Sequence, residues 1–380
     1  MRSFDLAFGP DGPIAGVLAD DDLSIGYDAS AGVVRAHPSG EVLGDDVFEV
    51  LEGLLDGDPE TVWVGWFGYA SRSDLPARPA AGVPDAVWMR TRPTPGRVRE
   101  GSPQQPFAHS TPPMPDWYAD AFGRVQEHLR VGDSYEVNLT HRHALESSID
   151  PATAYQRLCA IAPGAPYAGL VRHEGVALVS ASPECFARVG HDRVIETRPI
   201  KGTTPRDADP VKDREQAGLL ATSARFRAEN LIITDLCRND LSIQCEPGSV
   251  EVPTLMAVEQ HGAVHQLVTS VRGRLRPEAT TLSAVRAMFP PGSMTGAPKR
   301  RTMEIIDEVE HSPRGVYSGA YGWITGDGRC ELAVVIRSLV RDAGGHWQVG
   351  TGGGITVHSD AAAEWAESEW KVRRLISAVL

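Results

Sequence analysis

The stretch GVYSGAYGWITGDGRCELAVVIRSLV, residues 315–340, contains two strand-like apolar runs, GVYSGAYGWI and LAVVIRSLV, with only a Gly and Asp turn between them. A turn that short cannot carry a crossover helix, so the two runs are expected to lie antiparallel. Further strand-like runs are VALVSAS (176–182), HQLVTSVRG (265–273) and HWQVG (346–350), and helical patterns fall near 211–228, 279–288, 297–309 and 360–379. Several strands adjoin through turns and not through helices. The expected fold class is therefore α+β, mixed or antiparallel sheets packed with helices, and not a doubly wound nucleotide fold with regular βα alternation.

Upstream, residues 1 to about 75 alternate short apolar runs with Gly and Asp turns, and VWVGWFGYA (62–70) reads as one buried strand. From Ser73 to Pro115 the chain is dense in Pro, Ala, Arg and Gln, which excludes long regular elements. DWYADAFGRVQEHLRVGD (116–133) then places Trp117, Ala121, Phe122, Val125 and Leu129 on one helical face, with Gly132 as the stop. The division expected is a reduced N-terminal sheet subdomain and Pro-rich connection over 1–116, then a larger unit over 117–380.

The 380 residues are 42% hydrophobic and 23% charged, an ordinary globular composition. A net charge of −13 opposes nonspecific attraction to nucleic acid and to anionic membrane, so neither is an expected partner. An anionic substrate would need a local concentration of cations, backbone amides or a metal. The N-terminus shows no apolar run of signal-peptide length, and no window approaches a membrane span, which makes a cytoplasmic enzyme the expectation. Cys159, Cys185, Cys237, Cys245 and Cys330 are odd in number and lack a CxxC pair; they are expected to be reduced and buried.

Such an anion site has several candidates. ETRPIKGTTPR (196–206) gathers Arg198, Lys201 and Arg206 around Gly202 between two prolines, and reads as a rigid cationic loop. Lys201 is either a fixed ammonium for a carboxylate or, desolvated beside other cations, a neutral amine that attacks carbon. The bland alternative is a solvated basic turn. Carboxylates recur at Glu184 in SASPECF, Glu229 in RAENLIITDLCRND, and Glu364 and Glu367 in DAAAEWAESEWKVRRL. Glu364, Glu367 and Lys371 share one helical face, with Ser359 or Asp360 as N-cap. Alone, such a stripe is more often a solvated ion pair. Immediately upstream, however, Gly352, Gly353 and Gly354 in TGGGITVHSD offer unhindered backbone to an anion at the start of that helix. Oxygen ligands beside such backbone suit Mg²⁺ bridging an anionic substrate. In FPPGSMTGAPKRRTMEIIDEVE (289–310), Thr295 or Gly296 is read as the cap of an amphipathic helix with Pro298 near N1. Arg337, the lone charge in LAVVIRSLV, requires either an internal carboxylate or an anionic ligand. His265 in GAVHQLV is either a hydrogen-bonded core histidine or a catalytic one.

Taken in order, SPE, PIKGT, AENLIITDLCRNDL, VHQLV, FPPGSMTGAPK, SGAYGW, VIRSL, GGGI and EWAESEWK resemble the chorismate-utilising enzymes, which include anthranilate, aminodeoxychorismate, isochorismate and salicylate synthases. The resemblance covers roughly residues 117–380. It implies a large α+β domain with chorismate and Mg²⁺ in a deep cleft. By motif, Glu229 and Glu367 would hold Mg²⁺ with Glu364 close by. Arg337, Lys371 and the backbone of Gly352 to Gly354 would hold the substrate carboxylates, with Thr203 and Thr295 nearby. His265 and Glu184 would sit beside the ring and its leaving hydroxyl.

Within that family the lysine of PIKGT resembles the aminodeoxychorismate synthases, whereas anthranilate synthases carry alanine there. The implied mechanism adds Lys201 to C2 of chorismate while the C4 hydroxyl leaves with an acid, Glu184; ammonia then enters at C4. Lys201 must be neutral to attack, and Arg198 and Arg206 are close enough in sequence to promote this. Isochorismate and salicylate synthases place a water-activating lysine where YEVNLTHR has Glu136, so the departure fits an amine-transferring enzyme. Cys185 and Trp323 stand where Arg and Tyr are usual in the family. No Gly-x-Cys-x-Gly glutaminase setting occurs, so ammonia is expected from solution or from a separate glutamine amidotransferase subunit, and the resemblance implies a heteromeric partner. The rivals are an anthranilate or 2-amino-2-deoxyisochorismate synthase and a noncatalytic chorismate-binding subunit.

Overall fold

Apolar runs and short turns fold this chain into antiparallel sheets, and helices cover what the sheets leave open. The computed structural model describes residues 1–98, 111–262 and 264–380; part of the Pro-rich connection, 99–110, and Ala263 of GAVHQLV lie outside the described residues. β1 (Arg2–Leu6) buries every second residue, while β2 (Val62–Phe67) is buried throughout, as for a strand covered on both faces. α1 (Asp116–Arg130) buries Tyr118, Phe122, Val125 and Leu129 and stops where Gly132 takes φ +84°. β3 (Glu136–Leu145) follows, then the hairpin of β4 (Tyr167–His173) and β5 (Val176–Ser182), then β6 (Cys185–Val189) and β7 (Ile200–Pro205). Next come α2 (Ala224–Ser242), β8 (Val264–Arg274) and α3 (Lys299–Val309). The chain then runs through β9 (Ala320–Thr325), β10 (Cys330–Val334), β11 (Ser338–Arg341), β12 (Trp347–Ile355) and α4 (Ala361–Ile376).

Among the described residues two sheets result, of nine and twelve strands. The first has β3, β12, β11, β5, β4 and β1 side by side; the second carries β7 and β8 at one end and β6, β10, β9 and β2 further along. Strands from the first 98 residues enter both: Phe4 of β1 lies opposite Val171 of β4, and Gly65 of β2 opposite Gly322 of β9. The expected α+β class is the observed one.

Two short segments pass from one sheet to the other. Pro183 and Glu184 join β5 of the first sheet to β6 of the second, and Val335 to Arg337 join β10 of the second to β11 of the first. The two crossovers run side by side: the amide of Val334 donates to the carbonyl of Glu184 at 3.0 Å, and that of Ala181 to the carbonyl of Arg337 at 3.2 Å. LAVVIRSLV is thus not one strand, as its apolarity suggested. It breaks at Arg337, whose φ is +52°, a left-handed conformation seldom adopted by a branched-out side chain.

Three other local expectations change. PIKGT is a strand, not a loop, with Thr204 opposite His265 of β8. Gly352 to Gly354 lie within β12, opposite Thr140, Leu139 and Asn138 of β3, and not at a helix N-terminus. α4 starts only at Ala361, capped by Asp360, whose Oδ1 accepts from the amide of Ala363 at 2.9 Å. α3 is entered through Pro298 as N-cap; Thr295 belongs to a separate helical turn, Gly292–Thr295. All five cysteines are free and buried.

Candidate active-site cleft

Where the sheets approach each other, a cleft with an empty volume of about 830 Å³ opens. Of the residues singled out in the sequence it is lined by Glu184, Lys201, Thr203, Glu229, Arg337, Gly352, Gly353, Gly354, Glu367 and Lys371. Three others are not on its wall. Successive strand residues face opposite sides, so Gln266 faces the cleft while His265 turns away, its Nε2 2.8 Å from Asp213 Oδ1. Thr295 directs its hydroxyl into its own helical turn, toward the carbonyls of Gly292 (3.3 Å) and Pro291 (3.4 Å). Glu364 is buried just behind Gly353.

Lys201 is buried at the base of the cleft, where its Nζ donates to Glu136 Oε1. Burial pulls the amine down, but the carboxylates of Glu136, Glu229 and Glu184 together outweigh it, and the group stands above the ordinary lysine value. The resting side chain is an ammonium. The cationic crowding expected from Arg198 and Arg206 does not exist, because each finds its own carboxylate: Arg198 pairs with Glu259 at 2.5 Å and Arg206 with Asp213 at 3.0 Å.

Glu184, on the first crossover, is deeply buried, and burial pushes its carboxyl up to about 7 despite the hydroxyl of Ser293, which donates to Oε1 at 2.5 Å, and the charge of Lys201. It therefore retains a proton near neutral pH and can act as an acid. The guanidinium of Arg337, on the second crossover, makes no ion pair or hydrogen bond among the described residues. Its burial lowers it from the usual arginine value. A desolvated guanidinium without an internal carboxylate is an anion-binding group.

Across the cleft, Lys371 Nζ is 2.8 Å from Glu367 Oε1 and donates to the carbonyl of Gly352 at 3.0 Å. The i, i+4 pair and the cleft position are both realised. Glu229, Glu364 and Glu367 are joined by Arg225: its Nε is 3.1 Å from Glu229, and its Nη2 2.6 Å from Glu364 and 3.9 Å from Glu367. Three carboxylates gathered on one cation form an oxygen-only donor set, the kind that fits Mg²⁺. A metal there would have to take over from the guanidinium, which is about a third exposed and free to withdraw on its surface side. Burial raises Glu229 to about 7, consistent with carboxylates held close without a full complement of counter-charge.

The sequence pattern did not single out Glu136 as a partner of Lys201; the two are 65 residues apart and meet only through the sheets. Nor did it point to Ser293 or Arg225. A second histidine and carboxylate group, His141, His143 and Glu369, holds ligating atoms within 4.8 Å of one another away from the cleft. It is satisfied internally, His141 by Ser368 at 3.1 Å and His143 by Glu369 at 2.9 Å, and it fastens β3 to α4. Cys185 and Trp323, the departures noted above, are buried and do not line the cleft. No helix among the described residues is long and apolar enough to cross a membrane.

Comparison with known proteins places these features. The chain is 43% identical over 273 residues to an aminodeoxychorismate synthase of Streptomyces pristinaespiralis, a match covering 72% of this chain but 37% of the relative. It is 40% identical over 265 residues to an anthranilate synthase component 1 of Haloferax volcanii, covering 69% of this chain and 50% of that one. The chain thus spans half or less of the length of these two relatives. The fold matches that of anthranilate synthase component I from Streptococcus pneumoniae with a TM-score of 0.78 at 24% identity, over 98% of this chain and 92% of the other. The model of the chorismate binding enzymes matches residues 25–377, which include both crossovers and every wall of the cleft, and the chain belongs to that family.

Proposed function

We propose that the chain converts chorismate and ammonia to 4-amino-4-deoxychorismate through a covalent intermediate on Lys201, on the way to p-aminobenzoate and folate or a p-aminobenzoate-derived metabolite. The observation that carries this is the pairing, in one cleft, of a buried lysine with a carboxyl, Glu184, that keeps its proton near pH 7. A nucleophile and an acid of that kind are what exchange at an allylic alcohol requires.

In this reading Arg337 and Lys371 hold the carboxylates of chorismate, with the open backbone of Gly352 to Gly354 beside them and Thr203 on the neighbouring wall. Neutral Lys201 adds to C2 while Glu184 protonates the departing C4 hydroxyl. Ammonia then enters at C4 and lysine is expelled. Glu229 and Glu367, with Glu364 behind, would hold Mg²⁺, which supplies charge neutralisation for an anionic substrate. Ammonia comes from a separate glutamine amidotransferase subunit, a reading supported by the "component" naming of the Haloferax volcanii and Streptococcus pneumoniae proteins.

The rival is addition of ammonia at C2, giving anthranilate or 2-amino-2-deoxyisochorismate; a lysine at position 201, where the anthranilate synthases carry alanine, favours the first reading. Chorismate, ammonium and Mg²⁺ incubated with the protein, with products separated by chromatography, decide. Anthranilate formed without an added lyase sinks the proposal, and absence of turnover favours a noncatalytic chorismate-binding subunit. Lys201→Ala is expected to abolish the adduct seen by mass spectrometry.

A further inference from the structure

Resting on that reading, one difficulty remains in the geometry: the nucleophile is an ammonium, and an ammonium has no lone pair. We propose that Glu136 is the base that takes the proton from Lys201 and returns it at the end of each turnover.

The carboxyl groups facing Lys201 Nζ come from three elements: Glu136 at the start of β3, Glu229 on α2 and Glu184 on the first crossover. Glu229 is bound to Arg225 at 3.1 Å, and Glu184 is held by Ser293 and already carries the proton that the leaving hydroxyl needs. Glu136 alone among them hydrogen bonds Nζ, through Oε1. It is fully buried, and its Oε2 has no hydrogen-bond partner among the described residues, so the carboxylate has an open lone pair and no competing donor. Its position is enforced by Gly354 of β12: a Cβ there would lie 2.2 Å from Glu136 Oε1 and 3.0 Å from Lys201 Nζ. Any larger residue at 354 would separate the pair.

An N–H bond of Lys201 breaks and an O–H bond forms on Glu136, turning a buried ion pair into a neutral amine and a neutral acid, which relieves the desolvation of two charges. The freed lone pair forms the Nζ–C2 bond as the C4–O bond breaks, and the hydroxyl leaves as water with the proton of Glu184. Ammonia forms the C4–N bond as the Nζ–C2 bond breaks. Lysine departs as a neutral amine and recovers its proton from Glu136, while the new C4 ammonium gives its extra proton to Glu184. Both acids are reset, and the net change is chorismate plus ammonia to product plus water.

Glu136→Gln keeps the shape and a hydrogen bond to Nζ but cannot take up a proton. The test measures the rate of Lys201 adduct formation from chorismate and Mg²⁺, without ammonia, by quenched mass spectrometry between about pH 6.5 and 9.5. In the native protein the rate should fall above about pH 7, as Glu184, the acid for the leaving hydroxyl, loses its proton. In Glu136→Gln the rate at pH 7 should lie on the order of 100-fold below the native rate, a usual loss for a missing base, and the ratio of the two rates should close roughly tenfold per pH unit as solvent takes over the deprotonation. Glu136→Asp should restore the native pH profile, even if slower. Labelling of Lys201 by acetic anhydride in each variant reports that the side chain is folded into the same cleft. An adduct rate in Glu136→Gln equal to that of the native protein at pH 7, or a deficit of the same size at every pH, overturns the inference and leaves the lysine mechanism standing. Failure of the native protein to form any adduct overturns the lysine mechanism itself.

Discussion

Replacing Glu184 by Gln should make the protein more stable at alkaline pH while removing its turnover. The carboxyl is buried and stands at about 7 instead of the ordinary 4.5. Between those values the folded protein holds a proton that the unfolded chain has released, so stability falls as pH rises through the window. Two and a half units at 1.36 kcal/mol each amount to about 3 kcal/mol lost by pH 8. Gln carries no charge to desolvate and can still accept from Ser293, so its advantage should be small at pH 5 and grow to about 3 kcal/mol at pH 8 and above. Urea unfolding followed by tryptophan fluorescence, with neither chorismate nor Mg²⁺ present, measures the difference. Equal stability differences at pH 5 and pH 8 would refute the burial argument and with it the reading of Glu184 as a neutral acid.

Two further outcomes follow from the charges around it. Arg337→Met removes a desolvated cation with no internal partner, so the chorismate KM should rise roughly 10- to 100-fold with the unfolding midpoint unchanged or higher; a lower midpoint would reveal an internal contact that the structure does not contain. Arg225→Ala removes the cation that now occupies the carboxylate group of Glu229, Glu364 and Glu367. Mg²⁺ binding by calorimetric titration should tighten by about tenfold, a modest change because the guanidinium is partly exposed; weaker binding would contradict competition between the two cations.

Several strands, VALVSAS and HQLVTSVRG among them, were legible because an apolar run is a local signal, and so were the capped helix bearing Glu364, Glu367 and Lys371 and the motif residues that the cleft collects. Side-chain direction was legible only where register was known. His265 and Gln266 are adjacent in sequence, and nothing short of the pairing of β8 with β7 tells which of them faces the cleft. The break at Arg337 was hidden for a similar reason: apolar residues on both sides of a sheet-to-sheet crossover read as one strand, and hydrophobicity carries no record of a backbone turned left-handed. Arg198 and Arg206 misled because nearness in sequence is not nearness in space. The true neighbours of Lys201 are the carboxylates Glu136, Glu184 and Glu229, brought from three separate elements.

The paired crossovers divide the labour of the cleft in a way that bears on how such proteins diversify. Glu184 and Arg337 hang from backbone segments laced to each other, so the span between proton donor and anion anchor is set by main-chain hydrogen bonds and is insensitive to side-chain replacement elsewhere. Positions 136 and 201, by contrast, sit on two strands from different sheets and meet only through their side chains. The crossovers act as a fixed jig, and the strand residues opposite are interchangeable tool bits. The side chains at 136 and 201 can therefore be exchanged without touching the main-chain bonds that hold the two crossovers together.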